Sequence, residues 1–171
     1  MTPEQAQFLA QQYAQLMHGE FAATRKVLAA VKDDTRDYRP DDKSRTAWEL
    51  ATHLATADVW FLDSILTGQF VWDPEKVKQV EGQFTNVAEI VAFYEQTFPE
   101  KLKAIGAMTP ADLAKTISFF GMMEMPAASF LGMANNHGIH HRGQLAAYLR
   151  AMGSKVPAIY GGSADEPMQG A

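Results

Sequence analysis

The 171-residue chain contains no cysteine. That excludes disulfides, thiolate metal ligands and a cysteine nucleophile, and it leaves no mark of an oxidising compartment. Positive charge is scarce, with 15 Lys and Arg against 20 Asp and Glu, a formal net charge of −5. No basic cluster interrupts the acidic balance, which argues against a nucleic-acid partner. No run is apolar for long enough to span a bilayer, and the N-terminus has neither a basic n-region nor an apolar h-region. No membrane partner and a cytoplasmic address are therefore expected. Internal repeats and low-complexity tracts are absent too. With 47% apolar and 20% charged residues, the composition is that of an ordinary soluble domain large enough to bury a core.

What is present is helical periodicity. Thr2, Pro3, Glu4 and Gln5 form a helix start, and Phe8, Leu9, Tyr13, Leu16, Met17, Phe21, Thr24, Leu28 and Val31 follow at three- and four-residue steps, predicting one buried stripe over 3–32. A polar stretch at 33–42 reads as a loop. Ser44 or Thr46 begins a second helix, with Glu49 placed to form a capping box with Thr46; Gly68 stops it, and it is apolar over much of its circumference. Residues 69–83 read as a linker. Thr85 or Asn86 caps a third helix to about Gly106, which Pro99 is expected to kink or split. A short turn at Thr109-Pro110 and a hairpin-like connector at 117–126 lead to a last helix over 127–152, ended by Gly153. The expectation is an all-α four-helix bundle, one domain over 1–161 with a flexible tail at 162–171.

The stretch Asn135-Asn136-His137-Gly138-Ile139-His140-His141-Arg142-Gly143-Gln144 carries the chemistry. His137 and His141 stand at i and i+4, on one helix face. With five histidines in the chain, such a pair arises by chance roughly one time in nine, so alone it is a weak motif. His53 supplies a third ligand candidate: Leu50, His53, Ala57 and Trp60 follow helical spacing, as do Phe130, Ala134, His137, His141 and Tyr148. Both series aim imidazole at the bundle interior. Ala57, Ala134 and Gly138 leave room beside them. Three neutral imidazoles with an open fourth position suit zinc, nickel or iron(II), and such a metal acidifies a bound water or thiol. The bland alternative is three packed histidines in a helical dimer. His18 and His140 fall off these faces.

The block from Asn136 to Leu145, continuing through Tyr148-Leu149-Arg150 to Gly153 and Val156-Pro157, resembles the C-terminal helix of the DinB-like (DinB/YfiT) metal-binding superfamily. Trp48-Glu49-Leu50-Ala51-Thr52-His53-Leu54 is similar to its second-helix ligand segment. The resemblance implies up-down-down-up connectivity, a homodimer, and one divalent metal held by His53, His137 and His141. It also implies a small-molecule ligand and a low-molecular-weight thiol. In such a protein the metal holds that thiol as thiolate for S-transfer to an electrophile, or for thiol-dependent isomerisation. A non-catalytic metal-binding stress protein is the alternative.

Other residues carry two readings each. Glu49 is a helix cap or an acceptor for His53, and Asn136 and Gln144 orient the ligands or face water. Trp60, Phe130 and Tyr148 line a pocket or fill the core. Met122, Met123 and Met125 form an adaptable wall or a copper(I) site. Arg142 and Arg150 bind a carboxylate-bearing cofactor or are solvated or interface charges.

Overall fold

The computed structural model describes residues 1–168; the last three residues of the expected tail lie outside the described residues. Local capping sets the helix starts. Thr2 and Gln5 form a reciprocal capping box for α1, Pro3–Ala29, and Thr46 and Glu49 form another for α2, Ala47–Thr67. Gly68 ends α2 at φ +73°, a left-handed stop that favours glycine. Asn86 caps α4, Val87–Gly106, and α6 spans Phe130–Ala151 after a 3-10 turn at Ala127–Ser129. Pro99 lies inside α4 without dividing it.

Residues 69–83 are more than a linker. Asp73 accepts from the backbone of Glu75 and Lys76 to start a short helix, α3, Pro74–Glu81. The Asp-Pro start was there to read, but α3 has no buried residue and so shows no apolar stripe. The connector before α6 holds α5, Pro110–Ala114, and an antiparallel hairpin of β1, Thr116–Phe119, and β2, Met123–Pro126.

Side-chain contacts fix the helix directions. His53 meets His141 and Phe61 meets His137, so α2 and α6 run antiparallel. Tyr13 faces Gly132 and Glu20 pairs with Arg142, so α1 and α6 run parallel. Phe21 stacks on Phe98 and Arg25 pairs with Glu95, which makes α4 antiparallel to α1. Asp58 with Tyr94 and Asp63 with Lys101 make α4 parallel to α2. The bundle is therefore up-down-down-up. Parallel α2 and α4 need a connection that travels the bundle's length, and α3 is part of it.

The core is filled by Leu54, Leu62, Ile65, Ile90, Ile105, Leu131 and Leu145, each fully buried, and each contributes roughly 1.5–3 kcal/mol by leaving water. The stripe on α1 differs from its periodicity. Phe8 and Leu16 are 63% and 55% exposed, whereas Ala6 and Ala10 are buried. Helix α1 packs on α4, α5 and α6, and small side chains at those seams let helices approach where phenylalanine would hold them apart. Of the segment expected as a tail, Asp165 pairs with Arg150 at 2.6 Å and accepts from the Val156 amide, and Glu166 accepts from the Ala158 amide.

Asp33, in the loop after α1, accepts from the first amide of α4, Val87, at 2.9 Å. Asp33→Ala is expected to lower unfolding stability by about 1 kcal/mol, the usual worth of a helix-start cap. Urea denaturation with an unchanged slope checks it.

Candidate metal centre

Three histidines from two helices meet at the α2–α6 seam. Ring centroids lie 5.2 Å apart for His53 and His137, 4.7 Å for His53 and His141, and 4.4 Å for His137 and His141. One ring nitrogen of each lies within 4.8 Å of the others, so small ring rotations bring all three to a common ion at about 2.0–2.1 Å. The three are half-buried rather than central; the bundle interior at this level belongs to other groups. His18 and His140 are exposed and stand outside the cluster.

Electrostatics keep the cluster neutral. Burial pushes His53 down to about 3, helped by the positive field of Arg45 and the neighbouring imidazoles. Burial, with His141 and His140, pushes His137 down to about 4. His141 is lowered by burial as well, against its bond to Gln144. That bond joins His141 Nδ1 to Gln144 Oε1 at 2.7 Å. Because the amide oxygen only accepts, the proton sits on Nδ1 and the lone pair on Nε2. His137 Nδ1 is buried with no partner, a costly state that suits a donor waiting for a ligand. The three neutral imidazoles, one oriented by Gln144 and one with an orphaned nitrogen, fit a divalent transition metal.

A cavity of about 710 Å³ opens beside His53 and His137. Its inner wall is one face of α2, including Trp60, and its outer wall is α3. Trp72 and Phe120 also line it. Of the residues with two readings, Trp60 lines this cavity, whereas Phe130 is fully buried and Tyr148 packs edge-on against Tyr38. Met122 and Met123 are exposed on the hairpin, and Met133 contributes to the cavity instead. Glu49 is spent on its capping box, and Asn136 is exposed. Helix α3, Phe119 and Phe120 gave no sign in periodicity because their partners are far away in sequence.

Behind the histidines lies a buried polar group of residues. Asp58 is 4% exposed; its Oδ2 accepts from the Tyr94 hydroxyl at 3.1 Å, while Oδ1 has no partner. Its carboxylate presses on Gly138, where an added Cβ would lie 2.8 Å from Oδ1. Glycine between the two α6 histidines is thus what lets α2 and α6 approach. Arg142, expected to be solvated or at an interface, is 1% exposed. It pairs with Glu20 at 2.6 Å and donates to Thr24 and to the Tyr160 hydroxyl. A guanidinium that deep needs such partners, and they come from α1 and the C-terminal segment, invisible to spacing along α6. Arg150 pairs instead with Asp165.

Comparison with known proteins agrees with this architecture. The sequence profile of the DinB family matches residues 4–169. The protein YjoA of Bacillus subtilis (strain 168) is 29% identical over 141 residues, 80% of this chain and 86% of that protein. A crystal structure of a DinB-like protein from Bacillus cereus ATCC 10987 superposes with a TM-score of 0.70 at 28% identity, covering 88% of this chain and 97% of that one. The mycothiol-dependent maleylpyruvate isomerase shares the fold at a TM-score of 0.53 and 12% identity, over 92% of this chain and 65% of that one.

Burial raises the Asp58 carboxyl to about 7, against the Tyr94 hydrogen bond and the Arg142 charge. The folded chain then holds a proton that the unfolded chain releases near pH 4, so this contribution to stability is full below about pH 4 and is lost as pH rises through about 7. Asp58→Asn removes the linkage. Unfolding titrations are expected to show the variant gaining on wild type from pH 4 to 8, by a few kcal/mol at about 1.4 per pKa unit. A difference that stays constant with pH would show an ordinary carboxylate.

Proposed function

The chain belongs to the DinB family, and from that premise we propose that it binds one divalent transition metal through His53, His137 and His141 and uses it with a low-molecular-weight thiol to modify a small electrophile. The observation that carries the reading is the convergence of three neutral imidazoles beside a large cavity. A metal there supplies a Lewis-acid position that favours the thiolate form of a thiol at neutral pH. Zinc, nickel and iron(II) all suit three imidazoles.

The chain's own groups divide the remaining work. His53 faces His137 and His141 across the helix seam. Gln144 orients His141 through Nδ1. The cavity beside His53 and His137 gives a co-substrate room to approach from that side. The name of the mycothiol-dependent isomerase supports a thiol as co-substrate in this fold, and S-transfer or thiol-dependent isomerisation both use that arrangement.

A homodimer in the cytoplasm, with a small-molecule ligand and no nucleic acid or membrane partner, belongs to the same proposal. The uncovered side chains of Phe8 and Leu16 on α1 support an intersubunit face. Among the described residues no helix is long and apolar enough to cross a membrane.

Metal analysis of tag-free protein tests the reading. Wild type is expected to hold about one ion per subunit, and His137→Ala and His53→Ala little, with helical circular dichroism retained. Wild type that takes up no metal after reloading would overturn it.

A further inference from the structure

The cavity beside the histidines has a chemical character of its own. Two of its hydroxyls are turned back on their own helix: Thr56 Oγ1 donates to the Thr52 carbonyl at 2.8 Å, and Thr67 Oγ1 to the Asp63 carbonyl at 2.9 Å. The indole N–H of Trp60 is likewise spent, on the Val71 carbonyl at 3.0 Å. Carboxylates are committed too. Asp63 pairs with Lys101 at 2.7 Å, and Asp73 accepts from two amides at the start of α3. Burial raises the Glu81 carboxyl. Lys76 is exposed on α3. Most of the remaining lining is apolar, and Trp60, Trp72, Phe93, Phe119 and Phe120 are among its largest side chains.

One aromatic is held there at a conformational cost. Phe120 and Gly121, with φ +54° and +72°, are the central residues of a β-turn inside the three-residue hairpin loop 120–122, closed by the Met122 amide donating to the Phe119 carbonyl at 3.0 Å. Positive φ at both positions is the type I′ pattern, in which asparagine is the favoured first residue and a bulky side chain is strained. The Phe120 ring nonetheless lies nearly parallel to Trp60, at 9° and 6.3 Å between centroids, while 43% exposed. Trp72 meets Trp60 edge-on at 6.0 Å and is 54% exposed. A strained residue lining the cavity, with large apolar faces left in water, points to a ligand that covers them.

We propose that this cavity binds an uncharged planar aromatic molecule of roughly two or three rings, a size that its volume of about 710 Å³ accommodates, between Trp60, Trp72 and Phe120. Its status as the electrophilic substrate rests on the metal-and-thiol reading above; its binding does not.

The probe is N-phenyl-1-naphthylamine, a neutral fluorophore, titrated into metal-loaded and chelator-treated protein. Saturable enhancement is expected in both. Phe120→Asn is expected to weaken binding about tenfold, with metal content unchanged and melting temperature unchanged or raised, because asparagine relieves the turn. Trp72→Ala, at an exposed position, is expected to weaken it as well. No saturable enhancement in wild type, undiminished binding by Phe120→Asn, or displacement of the probe by equimolar maleate would each overturn the proposal. Probe binding by a protein that takes up no metal would support it while removing the metal reading.

Discussion

The separation of α2 from α6 is the constraint on which the site depends. At this seam Gly138 faces the Asp58 carboxyl group, and an added Cβ would lie 2.8 Å from Oδ1, so a larger residue forces the Asp58 side chain or the helices to shift. That approach is what brings His53, from one helix, to within ring contact of His137 and His141, from the other. Imidazoles are short, so a shift of an ångström between helices would separate a common site into a pair and a bystander. The clustering thus rests on a backbone position with no chemistry of its own.

The same seam carries an uneven distribution of polarity. Bundles are ordinarily filled with aliphatic side chains, as this one is above and below. At the level of the histidines, however, Asp58, Tyr94, Thr24 and Arg142 occupy the interior. Buried polar groups of this kind are stable only when their partners are in place. Arg142 is satisfied by α1 and the C-terminal segment, and Asp58 only in part. The histidines are therefore backed by a polar layer that ties α6 to α1, α2 and α4, while their open side faces an apolar cavity.

Much of the bundle could be read from the chain because capping and periodicity are local. Thr2 with Gln5, Thr46 with Glu49, and Gly68 announce their helix ends through neighbours three or four residues away. His53, His137 and His141 were legible by helical spacing together with family resemblance. What stayed hidden depends on distant partners. Phe8 looks like core from its spacing and is exposed, because burial on α1 is decided by α4, α5 and α6. Arg142 looks like a surface cation and is buried, because Glu20 lies far back in the chain. The wall of the cavity was hidden for a related reason: α3 buries nothing fully, so no stripe marks it.

The clamp on Arg142 binds together positions far apart in the sequence. Glu20 accepts from both the guanidinium and the Tyr160 hydroxyl, and Tyr160 in turn accepts from the guanidinium. Losing Glu20 leaves the buried Arg142 guanidinium without its carboxylate, and changes within such a network are non-additive. The glutamate and the arginine are therefore expected to vary together rather than singly. Lineages that abandon the arginine are expected to abandon the glutamate with it and to release the C-terminal segment from α1, so that divergence here proceeds by joint replacement and is written into the order in which substitutions are tolerated.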